Sequence, residues 1–178
     1  MPHVPALRIR LAGPADAPAL AVLAESTFRD AFAADNSPAD MDAHCAASYS
    51  AANQDRELND PSVRTIVAES TGDALVAYAQ LRKGHVPESV TGPLPIELWR
   101  FYVDRGYHGR GVAQELMARV DREADAMGAR TVWLGVWERN YRAQAFYQKC
   151  DFVRVGTHTF MVGSDPQTDH LMARQVLA

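Results

Sequence analysis

Leu7 to Leu11 alternates apolar and basic side chains, the period-two pattern of a short strand. Beyond Gly13 the period changes. Leu20, Leu23, Ala24, Thr27, Phe28, Ala31 and Phe32 recur at helical spacing and predict a helix with one apolar stripe. Ser37 followed by Pro38 predicts an N-cap with proline in the first turn. A second helix is therefore expected through Tyr49, with one more helical turn over Asn53 to Leu58. "VRTIVAE" and "ALVAYAQLRKG" are β-rich runs split by "STGD", a hairpin signal, and "HVPESVTGPLP" is a punctuated loop.

"IELWRFYV" predicts the next strand, with Glu97, Trp99, Phe101 and Val103 on one face and Leu98, Arg100 and Tyr102 on the other. Gly111 opens a helix in which Val112, Leu116, Val120 and Ala124 recur every fourth residue, and Gly128 closes it. "RTVWLGVW" predicts a strand, Asn140 to Lys149 a short helix, and "FVRVGTHTF" and "QTDHLMARQVL" two final strands. The order β-α-α-β-β-β-α-β-α-β-β predicts one mixed sheet flanked by helices, of α/β or α+β class, in a single domain over residues 1–178.

Composition narrows the classes. The chain is 47% apolar and 22% charged, which suits a folded domain rather than a disordered one. A net charge of −4 argues against a nucleic-acid partner. "MPHVPALRIRLAG" lacks the apolar core of a signal peptide, and no run is long enough to span a membrane, so a cytoplasmic location without membrane contact is expected. Cys45 and Cys150 are too few for a disulfide framework and are expected to be buried thiols. His44, His85, His158 and His170 show no metal-ligand spacing, so no metal is expected and no chemistry is assigned to them.

The candidate chemistry lies in "RFYVDRGYHGRGVAQELM", a strand running through a glycine-rich turn into a helix. Unpaired first-turn amides and the helix dipole favour an anion there. Two familiar phosphate motifs fail. Gly106 and Gly111 have P-loop spacing, but Val112 and Ala113 stand where Lys and Ser or Thr are needed. Gly109 and Gly111 could begin a dinucleotide fingerprint, but Gln114 occupies its third glycine.

A third pattern matches. His108-Gly109-Arg110-Gly111-Val112-Ala113 resembles the Gln/Arg-x-x-Gly-x-Gly/Ala segment of the GNAT superfamily of N-acetyltransferases, with His108 in place of the usual Gln or Arg. "VWLGVWERNYRAQAFYQKCDF" resembles the family's later strand-helix segment, in which Asn140, Ala143 and Tyr147 share a helix face. Asp151-Phe152 replaces the family's common Gly-Phe, and aspartate tolerates the left-handed conformation that this turn needs. Within the family, "STFRDAFAADNSPADM", "ELWRFYVD" and "GTHTFMVGSDPQTDHLM" are similar to bacterial spermidine/spermine N-acetyltransferase-like proteins.

The resemblance implies a mixed, mostly antiparallel sheet and acetyl-coenzyme A as cofactor. It places His108 to Ala113 on the pyrophosphate, and Asn140, Ala143 and the backbone of Phe101, Tyr102 and Val103 along the pantetheine arm. Tyr147 would donate a proton to the leaving sulfur, and Glu97 is the candidate base acting through water, or a salt-bridged strand carboxylate. A homodimer is compatible with the family and with the C-terminal strands.

The acceptor is a further question. Residues 11–60 hold nine acids against Arg29 and Arg56, a local charge of −7, so the remainder carries +3. An acidic wall would draw a small cationic amine, polyamine-like in character, while the alternative is two solvated helix faces. Phe28, Phe32 and Tyr49 either line the acceptor groove or belong to the core. Two rival functions are acetylation of peptide or protein N-termini and non-catalytic acyl-coenzyme A binding.

Overall fold

In the computed structural model, which describes residues 6–177, β1 (Arg8–Leu11) leads into three helices, α1 (Ala17–Phe32), α2 (Pro38–Ser48) and α3 (Ala51–Leu58). Met1 to Pro5, part of the N-terminal stretch read above, lie outside the described residues. There follow β2 (Val63–Glu69), β3 (Leu75–Arg82), β4 (Pro95–Val103), α4 (Val112–Ala126), β5 (Thr131–Trp137), α5 (Tyr141–Lys149), β6 (Val153–Val162) and β7 (Asp165–Gln175). The strands form one sheet in the order β1-β2-β3-β4-β5-β7-β6. Among the described residues, β4 and β5 pair in parallel and the other neighbouring strands pair antiparallel. Among the described residues, no helix is long and apolar enough to cross a membrane.

The sheet carries a core on each face. Leu116 and Val120 of α4 pack with Ile66, Leu81, Ile96 and Leu134 on one side. Leu20 and Phe28 of α1 and Met41 of α2 pack with Val67, Tyr78 and Trp137 on the other. The stripe expected on α1 is buried apart from Ala31, which is half-buried. Ser37 caps α2 as expected, accepting from Asp40 N–H. The single turn expected near Asn53 is instead the full helix α3, capped by Ser50 accepting from Asn53 N–H. Gln54 is the buried residue of that polar segment, so apolar periodicity could not reveal it.

The expected alternation along β4 fails, and the failure shapes the site. Gln80 pairs with Arg100 but Leu81 pairs with Leu98, so Trp99 has no partner on β3. A bulge of this kind adds one residue and reverses the side-chain parity beyond it. Leu98 therefore shares the α4 core with Phe101 and Val103, while Tyr102 joins the opposite core. Pairing of β4 with β5 covers only Pro95 to Glu97 opposite Thr131 to Trp133. From Leu98 onward the two strands part.

Two residues adopt left-handed backbone for local reasons. Asp151 has φ 66° at the end of α5, where Phe152 N–H donates to Tyr147 O (3.0 Å), so the turn survives without glycine. Leu94 has φ 44°, and its carbonyl accepts from Arg130 N–H (3.0 Å) at the entrance to β4. A leucine there carries a steric penalty of about 1–2 kcal/mol, partly offset by the flexibility that glycine would add to the unfolded chain. Because Leu94 is exposed, Leu94→Gly is expected to raise stability by about 0.5 kcal/mol, measured by chemical denaturation.

Candidate active site

The glycine turn is built by short-range hydrogen bonds. Asp104 accepts from Gly106 N–H (2.8 Å) to start the turn after β4, and the His108 Nε2 lies 2.8 Å from Val103 O. Gly109 and Gly111 have φ 73° and 82°, a region that disfavours side chains. Gly111 is the N-cap of α4 and supplies no side-chain cap. The amides of Val112, Ala113 and Gln114 therefore precede the first intrahelical bond, Glu115 N–H to Gly111 O (3.2 Å). A Cβ built on Gly109 or Gly111 meets nothing within 4 Å, so the turn faces open space. Arg142 and Lys149 of α5 line the same cavity. Free amides at a helix N-terminus fit the pyrophosphate of coenzyme A.

That cavity, about 950 Å³, passes between the parted strands and joins the two faces of the sheet. His108, Gly109, Gly111, Val112 and Ala113 line it at one end, and Phe101, Tyr102 and Val103 line it along β4. Arg110 is the exception among the expected cofactor residues. Its guanidinium stands 5.8 Å from the Tyr107 ring centre and does not line the cavity.

Asn140, Ala143 and Tyr147 also line it together. Asn140 Oδ1 accepts from Ala143 N–H (3.1 Å), so the residue caps α5 and keeps its Nδ2 end clear of that cap. Tyr147 is 8% exposed, edge-on to Phe101 and Phe152. Burial raises its phenol above the ordinary tyrosine value, so the group stays protonated near neutrality.

The other end of the cavity lies under α1 and α2. Phe28 stacks on His44 (4.3 Å) and touches Phe32 (4.5 Å), and Phe32 leans on Trp137 (5.5 Å). Phe28 and Phe32 are thus both core and cavity wall. Burial lowers the His44 imidazole below its ordinary value, with the nearby Arg100 cation acting in the same direction. Glu97 reaches the cavity with Oε2 accepting from Arg82 Nε (2.9 Å) and Nη2 (2.7 Å).

The acids of residues 11–60 mostly have other partners. Asp16 pairs with Arg10, Glu25 and Asp42 with Arg29, and Glu57 with Arg100. Asp40 accepts from Ser164 N–H (2.8 Å). Asp30 alone of the nine lines the cavity. Two further groups, passed over in the sequence, do line it: His158 on β6 and Asp169 on β7. Their one sequence-level signal is Gly135 inside β5, because a strand-interior glycine marks a close approach. Cys45 is buried as expected, whereas Cys150 is only partly so.

Known proteins share this fold and identify its family. The Acetyltransferase (GNAT) family profile matches residues 25–152. An uncharacterized N-acetyltransferase of Mycobacterium tuberculosis is 36% identical over 162 residues, which are 91% of this chain and 99% of that protein. The mycothiol acetyltransferase of Beutenbergia cavernae is 34% identical over 99 residues, 56% of this chain and 31% of its own. Among solved structures, the PaiA N-acetyltransferase of Thermoplasma acidophilum, in complex with coenzyme A, superposes with a TM-score of 0.75. It shares 18% identity, covering 96% of this chain and 99% of that one, a likeness of fold.

Proposed function

The chain belongs to the GNAT acetyltransferase family and is an acetyl-coenzyme A-dependent N-acetyltransferase, and from that premise we propose that it acetylates the primary amine of a small cationic, polyamine-like acceptor by direct attack. One observation carries this reading: a single cavity runs from the glycine turn, between β4 and β5, to the aromatic chamber under α1 and α2. Both substrates can then meet at the opening between the strands without a covalent enzyme intermediate.

When bound, acetyl-coenzyme A supplies the acetyl carbonyl and the thiolate leaving group. The amides of Gly109 to Ala113 hold its pyrophosphate, with His108 beside them. The unpaired edge of β4 from Phe101 to Val103 holds the pantetheine arm, and the Asn140 Nδ2 hydrogens contribute from α5. Tyr147 donates to the sulfur as the thioester breaks. Phe28 and Phe32 contact the acceptor's hydrocarbon chain. Arg82 and Arg100 offset Glu97 and Glu57, whereas Asp30 and Asp169 lend the chamber a negative balance that favours a cation.

Purified protein with acetyl-coenzyme A should release thiol when given spermidine or spermine. Release should be slower by more than tenfold with aminoglycosides, amino acids or short peptides. Release with peptides alone would overturn the acceptor assignment and favour N-terminal acetylation.

A further inference from the structure

We propose that His158, held by Asp169 in the space that Gly135 leaves on β5, is the group that takes the proton from the attacking amine. The inference rests on the amine-acetylation reading above and adds a catalytic residue to it.

Three strands converge on this point. His158 is paired in register with Asp169, and Asp169 is paired with Trp137 on β5. His158 Nε2 stands 3.5 Å from Asp169 Oδ2, a separation that a bound substrate can tighten. A Cβ built on Gly135 would lie 3.0 Å from His158 Nε2 and 3.1 Å from Asp169 Oδ2. Any side chain there would crowd the pair. Gly135 thus explains itself as a clearance for the imidazole and carboxylate, two residues past the last β4–β5 pair at Trp133.

The two partners differ in exposure as such a pair requires. Asp169 has 10% of its side chain exposed, and its Oδ1 is buried without a hydrogen-bond partner among the described residues. His158 has 38% of its side chain exposed, and both residues line the cavity. With Nε2 directed at the carboxylate, Nδ1 is the ring nitrogen left to meet a substrate proton. Asp169 is a positioning residue: it fixes the ring and stabilises the imidazolium that forms.

Glu97 is less well placed for that duty, because the Arg82 guanidinium occupies its Oε2 with two bonds. The charged groups facing His158 are Asp169 from β7 and Glu97 from β4, the latter bound to Arg82 of β3. Asp169 chiefly, and Glu97 secondarily, raise the imidazole above its ordinary value against the opposing effect of burial. This narrows the gap to an alkylammonium of about 10.4.

The proton inventory then closes. The ammonium gives one proton to His158 Nδ1, and the freed nitrogen lone pair forms the N–C bond to the acetyl carbon. The C–S bond breaks with its electron pair on sulfur, which takes the Tyr147 proton. The nitrogen loses its second proton as the amide forms, and that proton restores Tyr147 through water. His158 releases the first proton to solvent, the net proton of the reaction.

The test is His158→Gln, which keeps a polar side chain of similar size but cannot hold the proton. The fall expected in kcat/KM for the amine is about 10²- to 10⁴-fold, with coenzyme A affinity by calorimetry unchanged. The acidic limb of the pH profile should vanish, and imidazole should partly restore His158→Ala. Asp169→Asn should move that limb to lower pH, because it removes the main group that raises the imidazole. A His158→Gln enzyme with wild-type kcat/KM and an intact acidic limb overturns the assignment while leaving amine acetylation standing. Loss of the limb in Glu97→Gln alone would pass the role to Glu97. Wild-type protein that binds coenzyme A yet acetylates no amine overturns the amine-acetylation reading and this assignment with it.

Discussion

Tyr147→Phe is expected to lower kcat by about 10²- to 10³-fold while leaving coenzyme A affinity within about twofold. The phenylalanine ring keeps the packing against Phe101, Phe146 and Phe152, so the variant removes one oxygen and little else. Burial raises the phenol, and it raises a thiolate expelled into the same surroundings from its ordinary value of about 8.5. The two shifts run in the same direction, so a proton can still pass from oxygen to sulfur. Steady-state kinetics at saturating acetyl-coenzyme A, with calorimetry of coenzyme A binding, measures the effect. Wild-type kcat in the variant would remove Tyr147 from the chemistry.

Arg100→Leu is expected to destabilise the fold by about 3–5 kcal/mol. Arg100 is 7% exposed, with Nη1 donating to Glu57 Oε2 (2.7 Å) and Gln80 Oε1 (2.8 Å). Gln80, itself fully buried, donates to Glu57 Oε2 (3.1 Å) and Thr65 Oγ1 (3.2 Å). The guanidinium also stacks 3.8 Å from the Trp99 ring centre. Without it, a mostly buried carboxylate on α3 and the Gln80 carbonyl lose their shared donor. At about 2–4 °C per kcal/mol for a chain of this size, Tm should fall by roughly 6–20 °C. Arg100→Leu combined with Glu57→Leu should recover much of the loss, since the stranded charge goes with its partner. A single-variant loss below about 1 kcal/mol would show that this network does not tie α3 to the sheet.

The glycine turn shows how far local signals carry. Gly109 and Gly111 adopt positive φ where the spacing expected a special turn, and α4 starts at Val112 with its first amides free. Asp151 likewise takes the left-handed conformation expected of it. Such features depend on hydrogen bonds and sterics within a few residues. The same holds for the apolar stripe of α1 and the Ser37 cap of α2.

Other features escaped because their causes are not local. The parity of β4 turns on one unpaired residue, Trp99, and a bulge is decided by the register of β3 alongside it. Composition left the nine acids of residues 11–60 open between an acidic wall and solvated helix faces, because it could not show that Arg10 and Arg100 reach some of them from β1 and β4. Arg110 matched a motif, yet its side chain turns towards Tyr107.

His158, Asp169 and Gly135 mark the boundary between the two kinds of information. Periodicity and turn chemistry were enough for the element order apart from α3, the mixed sheet, the glycine turn at the start of α4 and, through two motifs, the family. They could not bring together three residues on β6, β7 and β5, because sequence separation does not encode the order β5-β7-β6. That order comes from burying both faces of the sheet at once, and side chains far apart in the chain become neighbours only as a consequence of it.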